Sequence, residues 1–423
     1  MQKLTLKYEN RALNFTLADG ISLVGYNLQN TRTFETNIAI SFFPGAGMKI
    51  RSSNFTDIET FGLRLELTKV IFQKQILTYG LDFYQDNSEN TDTNKTEVFG
   101  FGPTFTTVDT TPKVPNAFFR SFGLFIQDDM YLFPRLSLIL GLRYQNVQAE
   151  TKETPGLDDP LIKSTDKTLV GSANLTYELT DNFKLTFSMG RGFRSPNLPE
   201  RFYQGLTPDG GGYQIHNPEL ESETSFNIDI GFRFRLQNFC FETSLFRNMV
   251  YDGIQIVPTG RMVGRIPEYK NVNIDKLRLQ GLEMLTDLRF DFGLSLMADF
   301  SYITSKNLTN PELMYADTYG SRVNLNIRYT FPNDLFWIEY HIRHNGARKD
   351  VNLVDNPIGE IIPGFTVHSL RAGVTLFKDR LFPQRVTLVI GNLTNTLYSE
   401  FSNASFFRPA PKRHIVLSWS TQF

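Results

Sequence analysis

Cysteine is nearly absent from this chain, and the other scarcities are equally informative. Its 423 residues include one Cys, Cys240, which excludes a disulfide framework and any metal site built from several cysteines. Neither sign of charge is in excess, because 43 Lys and Arg against 44 Asp and Glu give a formal net charge of -1. Nothing therefore indicates a nucleic-acid partner. The first residues, MQKLTLKYEN, have no apolar run and no small-residue cleavage site, so they are not an export signal.

Long apolar runs and catalytic motifs are also missing. No segment approaches the roughly 18 consecutive apolar residues that a spanning helix needs. The mean hydropathy of -0.25 argues against a helical membrane protein but not against spanning strands, because alternation halves the hydropathy of each strand. There is no GxSxG elbow, no HExxH and no paired CxxC, and Gly210–Gly212 lacks the helix and the Lys of a phosphate loop. We therefore expect no enzyme, no catalytic residue, no cofactor and no metal.

What the chain has instead is alternation of apolar and polar residues. Phe is common, at 38 residues, and every second residue is apolar in the stretches 226–234, 323–329 and 336–342. A period of two is typical of a β-strand with one apolar and one polar face. The chain ends in the same phase, with Leu417, Trp419 and Phe423 on one face of a predicted last strand. The sequence predicts an all-β fold.

The connections alternate between short and long. Short turns are predicted at Leu132–Arg135, Thr180–Asn182, Phe331–Asp334 and Leu381–Gln384. Between them lie long polar connections, at about Asn87–Phe118, Gln148–Lys167, Arg191–Glu221, Gly253–Asp275, Thr304–Tyr319, Asn345–Pro363 and Ser399–Pro411. Membrane β-barrels have this asymmetry, since periplasmic hairpins need only tight turns while outer loops carry recognition. Charges on the polar faces, such as Asp229, Arg322 and Glu339, would suit a wide lumen that holds water or a plug. The sequence thus predicts an antiparallel transmembrane β-barrel of roughly sixteen strands.

Four segments form a series of boxes in a fixed order. They are Ser121–Gln145 (SFGLFIQDDMYLFPRLSLILGLRYQ); Gly192–Pro196 (GFRSP) with Asn217–Leu220 (NPEL) and Glu221–Ser225 (ESETS); Tyr269–Val272 (YKNV) with Gly281–Glu283 (GLE); and Val389–Asn395 (VIGNLTN) with Tyr398, Pro411, Arg413 and Phe423. Together they resemble the TonB-dependent outer-membrane receptors, over about Phe61–Phe423.

The resemblance implies a receptor in the Gram-negative outer membrane. Such receptors take up iron-siderophore complexes, haem, cobalamin or similar scarce nutrients through extracellular loops and the lumen of a barrel of roughly 22 strands, blocked by a plug domain. We expect residues 1–423 to form one such barrel domain, incomplete by about five or six strands of that plan, without plug domain or export signal. TonB would be a partner only if a missing N-terminal part supplies a plug. Membrane lipid and the barrel-assembly machinery are expected partners, the latter recognising Trp419 and Phe423.

The longest predicted outer loop, 191–223, is the densest in Gly, Pro, Arg and Tyr. Five of its residues are candidate ligand contacts: Arg194, Arg201, Tyr203, Tyr213 and His216. The arginines and tyrosines could hold an anionic or aromatic siderophore through charge-assisted hydrogen bonds and stacking, or they could stabilise a long exposed loop. His216 could ligate haem iron, whereas most lone loop histidines are solvated.

Three alternatives stay open at this stage. A plugless passive channel predicts large, unselective conductance in planar bilayers. A non-functional remnant of a truncated receptor predicts an adjacent upstream reading frame that encodes a plug and a signal peptide. A barrel-based surface enzyme, such as a lipase or protease, predicts hydrolytic activity, for which the sequence offers no nucleophile and base.

Overall fold

The computed structural model describes the chain except residues 14, 158–160, 208–210, 310, 312–319, 333–334, 349–360, 379–381, 400–408 and 422–423. The described part contains twenty strands and one short helix. The elements are β1 (Gln2–Asn10), β2 (Gly20–Phe43), β3 (Ala46–Ile71), β4 (Gln75–Phe99), β5 (Phe105–Asp109), β6 (Ala117–Phe133), β7 (Leu136–Thr151), β8 (Lys163–Thr180), β9 (Phe183–Arg194), α1 (Leu198–Phe202), β10 (Gly205–Leu206), β11 (Tyr213–Ile215), β12 (Glu223–Arg235), β13 (Phe239–Val263), β14 (Ile266–Arg289), β15 (Leu294–Asn307), β16 (Ser321–Thr330), β17 (Phe336–Asn345), β18 (Phe365–Leu376), β19 (Gln384–Gly391) and β20 (His414–Thr421). Among these elements, none is a helix long and apolar enough to cross a membrane.

Seventeen of the strands form one antiparallel meander. The series β1 to β4, β6 to β9 and β12 to β20 pairs each strand with the next. β5 adds to β4, β10 pairs with β11, and β11 makes a short parallel contact with β14. The predicted all-β antiparallel class is confirmed. In the described residues β1 pairs only with β2 and β20 only with β19.

The sheet has one apolar and one polar face, as the alternation predicts. In β12, Ile228 lies opposite Met189 of β9, whereas the next residue, Asp229, lies opposite Ser188. Large side chains of the apolar face are exposed on the surface of the protein: Ile230 is 53% exposed, Leu245 55% and Trp419 66%. Because an aqueous surface rarely carries apolar patches of this extent, the apolar face fits contact with lipid.

The two ends of the strands differ. At the short-turn end, aromatic rings pack in pairs, as where Phe331 lies 4.8 Å from Tyr329 and 5.0 Å from Phe336 between ring centroids. Such rings form the interfacial girdle of membrane barrels. The predicted turns after Phe133 and Thr180 are confirmed; the other two predicted turns fall partly outside the described residues.

At the long-connection end, two predicted loops are largely strand, so the prediction is wrong there. Gly253–Asp275 is the upper part of the β13–β14 hairpin, whose turn is only residues 264–265, and β4 continues to Phe99. The upper part of β4, residues 88–97, is polar and Thr-rich and pairs through ladder hydrogen bonds and cross-strand contacts, which apolar periodicity does not detect. The predicted connections Thr304–Tyr319, Asn345–Pro363 and Ser399–Pro411 lie mostly outside the described residues.

The strands of the first hairpins are much longer than a strand must be to span a membrane. β2, β3 and β4 have 24, 26 and 25 residues, whereas a spanning strand needs about 9–11. Along β3 the outward residues change from Leu63 and Phe61 to Glu59 and Asp57. We call the part beyond this change, residues 30–58 and 88–99, the extension.

Candidate ligand-binding site

A crossover segment, residues 195–222, builds the site at the long-connection end. It carries α1, β10 and β11. The strands on either side of it are neighbours, since Arg194 at the end of β9 lies opposite Glu223 at the start of β12. The chain therefore leaves the meander after β9 and returns to the adjacent strand, and within this segment α1 packs against the sheet and β11 pairs with β14.

α1 begins at a capping box. Asn197 is the N-cap, and its side chain accepts a hydrogen bond from the backbone N–H of Glu200 at 2.8 Å, while Glu200 accepts from the backbone N–H of Asn197 at 2.9 Å. Pro199 occupies the first turn, where its missing N–H costs nothing. The local sequence SPNLPE therefore stops β9 and starts a helical turn.

Arg194 joins both ends of the segment. Its guanidinium donates to both carboxylate oxygens of Glu200, at 2.8 and 2.9 Å, and also to Glu223. Glu223 in turn accepts from the backbone N–H of Ile254 at 2.6 Å. The charge of Arg194 is thus neutralised within the fold by Glu200 and Glu223. These contacts hold α1 against the end of β9 and the start of β12.

Arg201 is buried, with 1% of its surface exposed. Its Nη2 donates to Asp166 of β8 at 2.7 Å, and its Nη1 donates to the carbonyl of Pro218 at 3.2 Å. Asp166 also accepts from the hydroxyl of Ser195 at 2.6 Å. A buried charge needs such partners, and here they fix α1 to the wall of the sheet.

Two of the sequence boxes, NPEL and YKNV, bind to each other and to α1 through asparagines, and Arg194 joins the GFRSP box to the same helix through Glu200. Asn217 donates from its backbone to the carbonyl of Arg201 and from its side chain to the carbonyl of Asn271, each at 2.8 Å. Asn271 donates to the carbonyl of Glu200 at 2.8 Å. The GFRSP, NPEL and YKNV boxes therefore form one hydrogen-bonded unit that positions the crossover segment.

Between the crossover segment and the extension lies a cavity of about 500 Å³. Its lining combines aromatic, amide, hydroxyl and cationic groups, among them Arg32, Phe34, Asn54, Asp92, Lys113, Tyr203 and Tyr213. This volume and mixture suit a small-molecule ligand held by a few polar contacts.

Lys113 is the half-buried cation of this cavity. Its Nζ donates to the Ser52 hydroxyl at 3.2 Å, and its backbone N–H donates to Asp92, itself 4% exposed, at 2.7 Å. Its carbonyl accepts from the backbone N–H of Gln204 at 2.7 Å. Burial lowers the pKa of Lys113, and the carboxylates of Asp92 and Asp109 oppose this shift only in part. Sequence reasoning missed Lys113; the signal that could have found it is its place between two prolines, in Pro112–Pro115.

The structure does not bring the five predicted contacts together. Tyr203 and Tyr213 line the cavity beside Lys113, and the Tyr203 hydroxyl donates to the carbonyl of Leu206. His216 contacts Gln204 through Nδ1 and lines a separate cavity of about 80 Å³. That space is several-fold smaller than an ordinary ligand pocket.

Arg194 borders a third cavity, of about 370 Å³, on the polar face of the sheet. There Arg143 makes a bidentate contact with Asp82, at 2.7 and 2.8 Å. Arg201 lines none of the three cavities. The described residues include no cluster of three or more His, Cys, Asp or Glu side chains that could hold a metal ion.

Of the two predicted assembly-signal residues, Trp419 lies on the apolar face of β20, and its indole N–H donates to Gln384 at 3.3 Å. Phe423 lies outside the described residues.

Comparisons with known proteins agree on one architecture. A family model described as "TonB dependent receptor-like, beta-barrel" matches residues 1–393. Among curated proteins, the Heme/hemopexin utilization protein C of Haemophilus influenzae is 22% identical over 386 residues, covering 81% of this chain and 49% of that protein. The Ferrienterobactin receptor of Escherichia coli K12 is 24% identical over 293 residues, covering 66% of this chain and 35% of that protein. This chain thus spans about half the length, or less, of these relatives.

Solved structures show the same fold. The Copper transporter OprC superposes with a TM-score of 0.74 at 15% identity, over 99% of this chain and 64% of that one. The FrpB iron transporter of Neisseria meningitidis superposes with a TM-score of 0.67 at 17% identity, over 99% of this chain and 63% of that one.

Proposed function

This chain belongs to the TonB-dependent receptor β-barrel family, and from that premise we propose that residues 1–423 form one barrel domain of a nutrient receptor in a Gram-negative outer membrane. The nutrient class is a scarce iron chelate, haem or a similar compound. The relatives' names support this class, since they include a heme/hemopexin utilization protein, a ferrienterobactin receptor and, from Vibrio vulnificus, a vitamin B12 transporter. No relative among them is named as an enzyme, which fits a binding and transport role.

The orientation follows from the two ends of the sheet. The aromatic short-turn end faces the periplasm, and the extension with the crossover segment projects outside the cell. A ligand arriving from outside meets the 500 Å³ cavity first. The polar face then becomes the lumen wall, where its charged side chains are solvated at little cost.

The observation that carries the ligand site is the half-buried ammonium of Lys113 beside Tyr203 and Tyr213. Arg32, a second cation, shares the cavity and lies 5.7 Å from the ring centroid of Phe34. The carboxylates in the lining are engaged, since Asp92 accepts from the backbone of Lys113 and Asp109 from the backbone of Thr111. The lining thus carries two cations and two carboxylates, and the two cations, with aromatic surface beside them, suit the anionic group of a ligand with a planar or aromatic part.

The other predicted residues take different roles in this proposal. Arg194 and Arg201 are positioning residues, because their ion pairs hold the crossover segment in place. His216 is not assigned as a haem ligand. Coupling to TonB is proposed only for an assembly that also contains a plug domain, and recognition by the assembly machinery is proposed to use Trp419 and Phe423.

The test is ligand binding by the chain refolded in neutral detergent. Ferric enterobactin, haemin and cyanocobalamin would be titrated by calorimetry against wild type, Lys113→Met and Lys95→Met. Lys95 is the matched control, because it lies on the outward face of β4 and pairs with Glu97. Loss of a charge-assisted hydrogen bond worth about 1.5–3 kcal/mol should lower the affinity for the ligand roughly 10- to 150-fold in Lys113→Met, whereas Lys95→Met should leave it unchanged. Equal affinities in the two variants would refute the site.

A passive channel is the second candidate, favoured by the many charges on the polar face. It predicts large, unselective conductance from the chain in planar bilayers, without ligand binding in the calorimeter.

A further inference from the structure

The lumen wall formed by β16, β17 and β18 is strongly basic. These strands contain four arginines and a single carboxylate, and strand register places all five on the polar face: Arg322, Arg328, Arg343, Arg371 and Glu339. The neighbouring wall has the opposite bias, since Glu283, Asp287 and Asp299 lie on the same face of β14 and β15, with Arg289. The lumen is therefore electrostatically two-sided.

One row of the basic wall shows how incompletely the charge is compensated. Glu339 lies between Arg328 and Arg371 in the register. Arg371 donates to one of its oxygens at 3.3 Å, and an Nη1 of Arg328 lies 3.9 Å from the other. One carboxylate thus serves two guanidiniums, whose side chains are 39% and 44% exposed. Each guanidinium has five N–H donors, so this row retains capacity for a further acceptor.

The geometry of the row is held by an aromatic ring. The guanidinium carbon of Arg328 lies 4.0 Å from the ring centroid of Trp337, a cation–π contact that holds the guanidinium against the indole ring. Arg343 lies further along the same face, towards the outer end, and donates to the hydroxyl of Tyr398 at 3.3 Å. Guanidinium groups therefore recur along the lumen from the periplasmic end towards the outer rim.

We propose that β16–β18 form an anion-binding wall that takes the carboxylate or phosphate groups of a ligand crossing the lumen. A surface on which one sign of charge is in excess concentrates the opposite ion, and forked guanidiniums match carboxylate and phosphate geometry. The inference deepens the proposed function and rests on it for the traffic through the lumen. The preference of the wall for anions can be measured without any transport ligand. A negative result in the ligand-binding test at Lys113 would therefore not affect the test of the wall.

The two tryptophans make the test direct. Trp337 lies in the wall, and Trp419 lies on the apolar face of β20. The Trp419→Phe variant therefore keeps only Trp337, which reports on the wall. The Trp337→Phe variant keeps only Trp419, which serves as the control outside the wall. Fluorescence quenching by iodide and by caesium would be compared at constant ionic strength in neutral detergent. Quenching by uncharged acrylamide would correct for the different exposure of the two tryptophans.

The row beside Trp337 has an excess of one positive charge over Glu339, and one such charge at about 8 Å should raise the iodide-to-caesium ratio at Trp337 roughly twofold over that at Trp419. Glu339→Gln should raise the ratio further, and Arg371→Gln should lower it. Citrate should compete with iodide for the wall and so reduce iodide quenching in the Trp419→Phe protein. This measurement needs no substitution of Glu339 or Arg371, so it remains possible even if those variants do not fold. Equal ratios at the two tryptophans, or no competition by citrate, would overturn the proposal.

Discussion

Replacing Arg201 with Met should release the crossover segment while leaving the barrel folded. The substitution strands Asp166, whose side chain is 14% exposed, without its guanidinium partner, and it also removes the hydrogen bond to the carbonyl of Pro218. Breaking one side of a buried ion pair costs about 3–5 kcal/mol. Because Asp166 keeps some contact with water and the hydroxyl of Ser195, the lower end applies, at about 3 kcal/mol.

Hydrogen exchange would measure the effect where it arises. A loss of about 3 kcal/mol in local opening free energy corresponds to roughly 150-fold faster exchange of the amides in residues 198–217. The heat-modifiable migration of the folded barrel should not change, since the ladder of β8 and β9 does not involve this pair. The matched control is Arg201→Met with Asp166→Leu, which replaces the pair by apolar groups and should restore most of the protection. Unchanged exchange in the single variant would refute the positioning role of Arg201.

Other predictions follow from the faces of the sheet and from the cavity. Leu245→Arg puts a charge on the lipid face and should cost about 2–4 kcal/mol of stability in lipid vesicles, whereas Ser244→Arg, one residue away on the polar face, should be tolerated; equal losses in urea unfolding would contradict the assignment of the faces. Gly205 has a φ of +147°, and a Cβ there would lie 3.0 Å from Cγ of Lys113, so Gly205→Ala should weaken ligand binding in calorimetry without changing heat-modifiability. Because burial lowers the pKa of Lys113 from its usual 10.5, the ammonium is lost as pH rises through this lowered value; anion affinity should therefore fall at a lower pH than an ordinary lysine allows, and Lys113→Arg should abolish that fall.

Much of the sheet could be predicted from the sequence because lipid imposes a strict pattern. In β12, β16 and β17 every second residue is apolar, and these strands are found where the alternation predicts them. Beyond the membrane this constraint disappears. The upper part of β4, residues 88–97, is polar on both faces, so its strand pairing follows from ladder hydrogen bonds that leave no apolar period in the sequence.

The site was harder to predict because its contacts are distant in the chain. Lys113 meets Ser52, 61 residues away, and Arg201 meets Asp166, 35 residues away in another predicted loop. Residue type alone marked Arg194 and Arg201 as candidate ligand contacts. The structure shows that both arginines form ion pairs within the fold, with Glu200, Glu223 and Asp166.

We propose that the cavity between the extension and the crossover segment receives the nutrient. The most direct measurement is ligand footprinting by hydrogen exchange, with whichever of ferric enterobactin, haemin and cyanocobalamin binds the refolded chain. Protection is expected in residues 32–38, 50–56, 90–96, 107–114 and 203–207 and at residue 213, where the side chains that line the cavity lie. Protection confined to other segments, or binding of none of the three ligands, would contradict it.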